Sequence, residues 1–157
     1  MLLRIALISS LIAVIAACDH KAPVAEAAQT AMPAAAVIAI FEEFVPKNEL
    51  AGEQIHCLEV DGQSPEAAVI SHMTTAGYRI APISECTFDI KRQGFHTKTR
   101  RPAVFHYIRD FTRFGDSSAE ANVGTIIHGL DDMHYRVDLQ LSRGKWYVRG
   151  REATGVS

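Results

Sequence analysis

Histidines are the first candidates for chemistry in this sequence, because an imidazole can bind a metal or exchange a proton near neutral pH. Six of the seven histidines lie in the part of the chain that we expect to fold: His56, His72, His96, His106, His128 and His134. Those in predicted neighbouring strands could converge on a metal. None, however, shows the H-x-x-x-H or H-x-H spacing that places two ligands on one face of an element. We therefore predict no metal site and no cofactor.

A serine and a histidine further along the chain resemble parts of a known hydrolase family. Phe114 to Ser117 is similar to the nucleophile block of GDSL esterases, and Asp131 with His134 has the spacing of their D-x-x-H block. Acyl transfer in that family also needs an oxyanion hole from separate loops, and no Gly/Asn block lies between the two motifs. Because Gly-Asp-Ser is also common in turns, we predict a hairpin turn here and no enzyme.

The N-terminus has the composition of an export signal. Arg4 precedes an apolar run from Ile5 to Ala17, which is shorter than the roughly 20 residues that span a membrane. Ile15 to Cys18 resembles the lipobox of bacterial lipoprotein precursors. The resemblance implies that the Cys18 thiol receives a diacylglycerol and becomes the first mature residue. An ordinary secreted protein, cut near Ala16 or Ala17, and an uncleaved anchor are the alternatives.

This resemblance predicts the location of the protein. Residues 1–17 are expected to be a signal peptide, and the mature chain is expected to be lipid-anchored in the cell envelope, facing the periplasm. In lipoproteins of the enterobacterial type, an Asp directly after the lipidated Cys resembles a signal for retention in the inner membrane. Asp19 has this position.

The cysteine count agrees with an exported protein. With Cys18 assigned to the lipid, Cys57 and Cys86 remain, and an oxidising periplasm is expected to join them. The alternative is a redox or metal pair, but the chain has no C-x-x-C motif and no second ligand pair spaced for zinc. We predict a Cys57–Cys86 disulfide.

The domain organisation follows from composition. Residues 18–33 are rich in Ala and lack strong periodicity, which is typical of a flexible tether. Residues 34–157 are long enough for one domain with a real core. The mature chain has a net charge of about −3, so the total charge indicates neither nucleic acid nor an anionic membrane surface as a partner.

Basic residues are concentrated in the middle of the chain. Most of the excess lies in one segment with Phe95 and His96: Lys91, Arg92, Lys98, Arg100 and Arg101. We predict that these residues bind an anionic partner, a lipid headgroup or a protein of the envelope. A solvated loop without a partner is the alternative.

Hydrophobic periodicity predicts an α+β fold. An amphipathic helix is expected after Pro33, up to Val45, and a strand from Ile55 to Val60. Ser64 is expected to cap a helix from Pro65 to Ala76, and a strand follows from Tyr78 to Ile83. The result is an N-terminal helix and a β-α-β unit.

From Ala103 onward the pattern predicts an antiparallel meander. Phe105, Tyr107, Arg109 and Phe111 are expected to face one way, followed by a turn at Gly115. Alternate residues from Met133 to Leu141 are expected to face the core, with His134, Arg136, Asp138 and Gln140 on a wet face. Arg143–Gly144 is expected to form the hairpin turn that leads into a last strand, whose Trp146 and Val148 point to the core.

Several short segments resemble an uncharacterised group of small bacterial secreted proteins. They begin at Cys57, Ser84, His128, Tyr135 and Gly144. Those relatives often carry further cysteines in the central hairpin, which this chain lacks, and they have no known activity. The helix followed by a long antiparallel sheet also looks like the nuclear transport factor 2 superfold, so an NTF2-like or cystatin-like fold is expected.

Two functions remain as hypotheses. The first is a membrane-tethered interaction or accessory domain that recognises an envelope component through the basic residues and the wet sheet face, without turnover. The second is a small-ligand binder or enzyme with a pocket between helices and sheet, using His106, Arg109 or His134. The second hypothesis predicts a buried polar cluster.

Overall fold

The structure, a computed structural model, describes residues 31–47, 52–89, 92–127 and 132–156. Within them the chain forms two helices and eight strands, which confirms the α+β class. The predicted signal peptide, the lipidation site Cys18 and most of the predicted tether lie outside the described residues. So do Lys91, His128 and Asp131.

The elements follow the predicted order, with one additional hairpin. They are α1 (Ala34–Phe44), β1 (Ile55–Val60), α2 (Ala67–Thr75), β2 (Ile80–Pro82), β3 (Cys86–Asp89), β4 (Arg92–His96), β5 (Ala103–Phe114), β6 (Ser118–Ile126), β7 (Asp132–Ser142) and β8 (Lys145–Val156). A 3₁₀ turn, Ile83–Glu85, separates β2 from β3. Periodicity does not reveal the β3–β4 hairpin, because its strands have only four and five residues.

Six strands form one sheet in the order β2-β1-β5-β6-β7-β8. β1 is parallel to both β2 and β5, so the predicted β-α-β unit is present, and β5 to β8 form the predicted antiparallel meander. No helix among the described residues is both long and apolar enough to cross a membrane.

Both helices pack on one face of the sheet and form the main core with it. Their buried residues include Val37, Ile40 and Phe41 of α1 and Val69 and Met73 of α2. The sheet contributes Leu58, Ile108, Val123, Val137, Leu139 and Trp146 to the same cluster. The alternation expected in β7 is therefore confirmed, because its inward side chains meet the helices.

The facing predicted for Phe111 in β5 is wrong. The alternation places it on the same face as Phe105, but it packs in the helix-side core with Ile108, whereas Phe105 packs on the other face. The cause is an irregularity between Arg109 and Thr112, where Asp110 has φ +55°. A bulge of this kind inserts one residue and reverses the facing of the residues after it.

The start of α2 also differs from the prediction. The helix begins at Ala67, and no side chain caps its first turn. The Ser64 hydroxyl, expected to be the cap, instead lies 3.0 Å from the hydroxyl of Ser84. It therefore joins the segment before α2 to the turn after β2.

The opposite face of the sheet is covered only at one end. The predicted disulfide is present: Cys57 of β1 is bonded to Cys86 of β3, with a Cα–Cα distance of 6.3 Å. Around it lies a second, smaller core that includes Ile55, Ala81 and Phe105. Phe88 of the hairpin packs edge-on against Phe105, with ring centroids 5.2 Å apart.

Candidate functional site

Beyond Phe105, the face opposite the helices carries mainly polar side chains, and we call it the open face. Its successive rows across β5, β6 and β7 contain Tyr107, Gly124 and His134, then Arg109, Asn122 and Arg136, then Thr112, Glu120 and Asp138. The wet face predicted for β7 is thus one part of a surface shared by four antiparallel strands.

Tyr107 lies in the first row of the open face, next to the end that the hairpin covers. Its hydroxyl group is 3.2 Å from both carboxylate oxygens of Asp132 and 2.8 Å from Nδ1 of His134. Partial burial, followed by the negative charge of Asp132, raises the pKa of Tyr107 to about 12. The phenol therefore stays protonated and donates to the carboxylate, while its oxygen can accept from the imidazole.

Gly124 makes room for this tyrosine. A Cβ atom at position 124 would lie 1.9 Å from the Tyr107 ring, which means that the ring lies directly across the backbone of β6. Any larger residue would push the ring aside. The position of the Tyr107 hydroxyl between Asp132 and His134 thus depends on a glycine in the neighbouring strand.

Arg109 extends the polar cluster toward β1. Its guanidinium group lies 4.8 Å from the centre of the Tyr107 ring and 3.0 Å from a carboxylate oxygen of Glu59. The ion pair and the stacking hold Arg109 beside the tyrosine. Tyr107, Asp132, His134, Arg109 and Glu59 form one connected group, which we call the Tyr107 cluster.

Two clefts meet at the Tyr107 cluster. One, of about 470 Å³, runs under the β3–β4 hairpin and is lined also by Ile83 and Phe88. The other, of about 570 Å³, runs along the open face past Asn122 and Arg136. Both are lined by Tyr107, Arg109 and His134, so a ligand in either cleft would contact the cluster.

The open face is rich in carboxylates. Its described acidic residues are Glu59, Asp110, Glu120, Asp132, Asp138 and Glu152. Arg109 pairs with Glu59, and Arg136 pairs with Glu152. Because carboxylates outnumber guanidinium groups, the face attracts cations and groups that donate hydrogen bonds.

A second polar cluster is buried on the helix side of the same strands. Nδ1 of His56 lies 2.8 Å from Nε2 of His106, and Nδ1 of His106 lies 3.1 Å from the hydroxyl of Thr125. Both histidines are 2 % exposed. The buried polar cluster expected under the second functional hypothesis therefore exists, but His106 lies on the opposite face from Arg109 and His134.

The two buried histidines are held neutral. Burial, reinforced by the charge of Arg79, lowers the pKa of His56 to about 4, and burial lowers the pKa of His106 as well. Nε2 of His56 is buried and has no hydrogen-bond partner among the described residues. A row of hydrogen bonds thus runs from Thr125 of β6 through His106 of β5 to His56 of β1. It ends at Nε2 of His56, which has no partner among the described residues.

The predicted partner-binding residues lie at two separate places. Arg92 begins β4, whereas Lys98, Arg100 and Arg101 follow its end, so β4 separates them by about 13 Å at 3.3 Å per residue. Lys98 pairs with Glu85 at 2.6 Å, and the hydrogen bond from Lys98, followed by that of His96, lowers the pKa of the Glu85 carboxyl. Arg100 stacks on Phe95 at 3.9 Å, and Arg101 is exposed.

The remaining candidates from the sequence do not form a site. Ser117 lies in the turn between β5 and β6, as predicted, and six residues of β7 separate the row of Gln140 from His134, a distance of about 20 Å. His72 is exposed on α2, and His96 contacts Glu85. Within the described ranges, no three His, Cys, Asp or Glu side chains are placed to hold a metal ion.

No family model, no curated protein and no solved structure matches this chain. The functional argument therefore depends on the geometry of its own residues.

Sequence reasoning identifies Arg109 and His134 but misses Tyr107, Asp132 and Gly124 as parts of one site. Gly124 carries the available signal, since an isolated glycine within a strand pattern indicates a close approach by another group. What the sequence lacks is the register that brings Tyr107 opposite Gly124 and Gly124 opposite His134.

Proposed function

We propose that this protein is a lipoprotein of the cell envelope, anchored to a membrane through Cys18, whose domain faces the periplasm and binds a partner on the open face without turnover. Two features support the location: the lipobox-like Ile15 to Cys18 and the Cys57–Cys86 disulfide, which suits an oxidising compartment. Asp19 favours the inner membrane. No nucleic acid is expected as a partner.

The Tyr107 cluster is the observation that carries the binding function. It holds a phenol, an imidazole, a guanidinium and two carboxylates in fixed positions where two clefts meet. Preorganised polar groups of this kind lower the entropic cost of binding. The excess of carboxylates favours a partner that offers cationic groups or hydrogen-bond donors.

Site-specific photocrosslinking in native membranes tests this proposal. A photoreactive p-benzoylphenylalanine in place of Glu120 or Asp138 is expected to give one shared crosslinked product. The same residue in place of Ser71, exposed on α2, serves as the control. Equal products from all three positions, or none from the open face, would contradict binding on this face.

The anchor is tested separately. The intact mass of the mature chain is expected to include acyl chains on Cys18, and the variant Cys18→Ser is expected to lose both the added mass and its membrane association. An unmodified Cys18 in the native host would exclude the lipoprotein part of the proposal.

The basic segment supports a second, anionic partner. Arg100 has φ +60° in an exposed turn and stacks on Phe95, so its guanidinium is held in place, with Arg101 beside it. The double variant Arg100→Ala with Arg101→Ala is expected to abolish capture of an anionic partner and to leave the open-face crosslinks intact. Unchanged capture would exclude the basic segment.

We also propose that the domain has an NTF2-like or cystatin-like fold. A long antiparallel sheet with helices packed on one face supports an NTF2-like or cystatin-like architecture. The pocket expected between helices and sheet corresponds to the region of His56 and His106, where a groove of about 310 Å³ lies beside Phe44. A small ligand held there is the alternative to partner binding on the open face.

A further inference from the structure

Two hairpin turns lie together at one end of the sheet. The turn Gly115–Ser117 joins β5 to β6, and the turn Arg143–Gly144 joins β7 to β8. They share an end because Ser118 pairs with Phe114 and with Gln140, and Gln140 pairs with Tyr147. We call this end the hairpin tip; its exposed cationic and aromatic side chains are Arg113, Phe114, Arg143, Lys145 and Tyr147.

The hairpin tip combines exposed aromatic rings with positive charge. Phe114 is 56 % exposed and Tyr147 is 45 % exposed. Three cationic groups accompany them, and Asp116 is the one acidic residue between 113 and 118 or between 142 and 147. Aromatic rings beside basic groups suit the interface between water and anionic lipid headgroups.

The described chain begins beside the middle of β5, about 20 Å from the hairpin tip. Met32 and Val37, at the start of the described chain, line a groove with Val60 and Asp61 at the C-terminal end of β1. β1 is parallel to β5, whose C-terminal end carries Phe114. From Ile108, the partner of Val60, β5 continues for six residues, or about 20 Å, to the hairpin tip.

The distance from the anchor permits contact with the membrane. Ala31, where the described chain begins, lies 13 residues after Cys18, and 13 residue steps can span at most about 45 Å. An anchored domain therefore has its hairpin tip within reach of the lipid surface. Arg100 and Arg101 lie at the other end of β5, about 40 Å away along its 12 residues.

We propose that the hairpin tip docks onto the anionic surface of the membrane that holds the lipid anchor. This inference rests on the proposed lipoprotein function. Arg143 and Lys145 contact the headgroups, and Phe114 inserts at their level. Each basic residue near an anionic surface raises binding by about fivefold, which is weak for a free protein. The contact becomes effective because the anchor keeps the tip at a high local concentration.

Trp146, the single tryptophan of the chain, lies in β8 between Lys145 and Tyr147, but it is buried in the main core. The reporter is therefore a tryptophan introduced at the exposed tip by Phe114→Trp, in a chain that also carries Trp146→Phe. Lipids with brominated acyl chains quench tryptophan only at short range. Quenching of the introduced tryptophan measures docking of the hairpin tip, whereas sedimentation with vesicles measures anchoring.

The acylated mature chain that carries this reporter is reconstituted in vesicles of brominated phosphatidylcholine with or without phosphatidylglycerol. The double variant Arg143→Gln with Lys145→Gln is compared with Lys47→Gln with Arg151→Gln, which removes the same charge at exposed positions outside the tip. We expect phosphatidylglycerol to increase quenching. The tip variant is expected to lose this increase but to sediment with vesicles, and the Lys47/Arg151 variant is expected to retain both.

Other outcomes are equally informative. Equal loss of quenching in both double variants, or no effect of phosphatidylglycerol on the reporter chain itself, would overturn docking by the tip. If Cys18 is not acylated, the proposed function fails. Binding of the hairpin tip to lipid can still be measured with the unacylated Cys18→Ser chain and the same vesicles. There the tip variant is expected to bind about 25-fold more weakly than the Lys47/Arg151 variant. Circular dichroism verifies that each variant is folded.

Discussion

At the scale of single residues, the position of the Tyr107 ring over Gly124 has a measurable consequence. The variant Gly124→Ala is expected to lower the free energy of unfolding by about 1–3 kcal/mol, because the new methyl group would overlap the ring. It is also expected to weaken binding on the open face, since the Tyr107 hydroxyl would leave Asp132 and His134. Urea denaturation measures the first effect, and crosslinking from Glu120 measures the second.

Gly150 offers the matched control. A Cβ atom there would meet the nearest atom, a carboxylate oxygen of Asp138, at an ordinary 3.7 Å. Gly150→Ala is therefore expected to change stability little. Equal destabilisation by both variants would show that strand glycines, rather than the Tyr107 ring, cause the effect.

The buried histidines predict how stability depends on pH. His56 has a pKa of about 4 in the folded protein and about 6.5 when unfolded, so unfolding takes up a proton between these values. The lowered pKa of His106 acts in the same direction. The contribution of the neutral histidines to the free energy of unfolding is fully present above pH 6.5. It decreases as the pH falls toward 4, by about 1.4 kcal/mol per pH unit for each proton taken up on unfolding.

Single variants test this assignment. His56→Gln and His106→Gln are each expected to make the pH dependence shallower by about one proton, as measured by urea unfolding between pH 7.5 and 4.5. Thr125→Val removes the hydroxyl partner of His106 without removing a titrating group, so its pH slope is expected to match the wild type. The assignment fails if both histidine variants retain the full slope.

At the scale of elements, the β3–β4 hairpin depends on the disulfide for its attachment. Cys57 and Cys86 close a loop with a sequence separation of 29, for which the chain-entropy model gives about 3–4 kcal/mol. The double variant Cys57→Ser with Cys86→Ser is expected to lose about this much stability. Hydrogen exchange is expected to increase most in β3 and β4, because without the bond they are held to the sheet mainly by the packing of Phe88 and Gly94 on Phe105.

Reduction of the wild type provides the control for that experiment. It is expected to give the same loss of stability and the same exchange pattern as the double serine variant. Faster exchange spread evenly over β5 to β8 would contradict a local role for the bond.

Elements are more predictable from this sequence than the site is. Apolar alternation identifies β7 and β8 because one face of each strand meets the helices, and helical spacing identifies α1 for the same reason. Apolar alternation gives the wrong face for Phe111, because a bulge at Asp110 reverses the facing of the later residues of β5. The sequence carries no obvious signal of this bulge. The Tyr107 cluster joins residues from β1, β5 and β7, and only the strand register brings them together.

At the scale of the whole molecule, charge is separated between surfaces. The open face is acidic, whereas the hairpin tip and the turn of Arg100 and Arg101 are basic and lie at opposite ends of β5. A domain anchored at the tip end would present the other basic turn away from the membrane. The arrangement leaves the open face accessible from the side.

This orientation requires that the domain be outside the cytoplasm. Protease added to spheroplasts is expected to degrade the native protein. Protease added to intact cells is expected to leave it intact, and a cytoplasmic control protein in the same spheroplasts is expected to be protected. Protection in spheroplasts would contradict export. Blotting against the domain measures both results.

The place of β5 in the sheet has a consequence for biogenesis. β5 separates β1 from β6, yet it begins at Ala103, after both cysteines of the disulfide. If the chain is exported from its N-terminus, as proposed, α1, β1, α2, β2 and Cys86 would reach the periplasm before the strand that must pair with β1. An oxidase can therefore close the bond on an incomplete sheet and hold β1 in place with one edge still unpaired. Strains without such an oxidase are expected to accumulate less of the protein. In those strains β1 is not held by the disulfide before β5 is exported, so more of the incomplete chains are degraded.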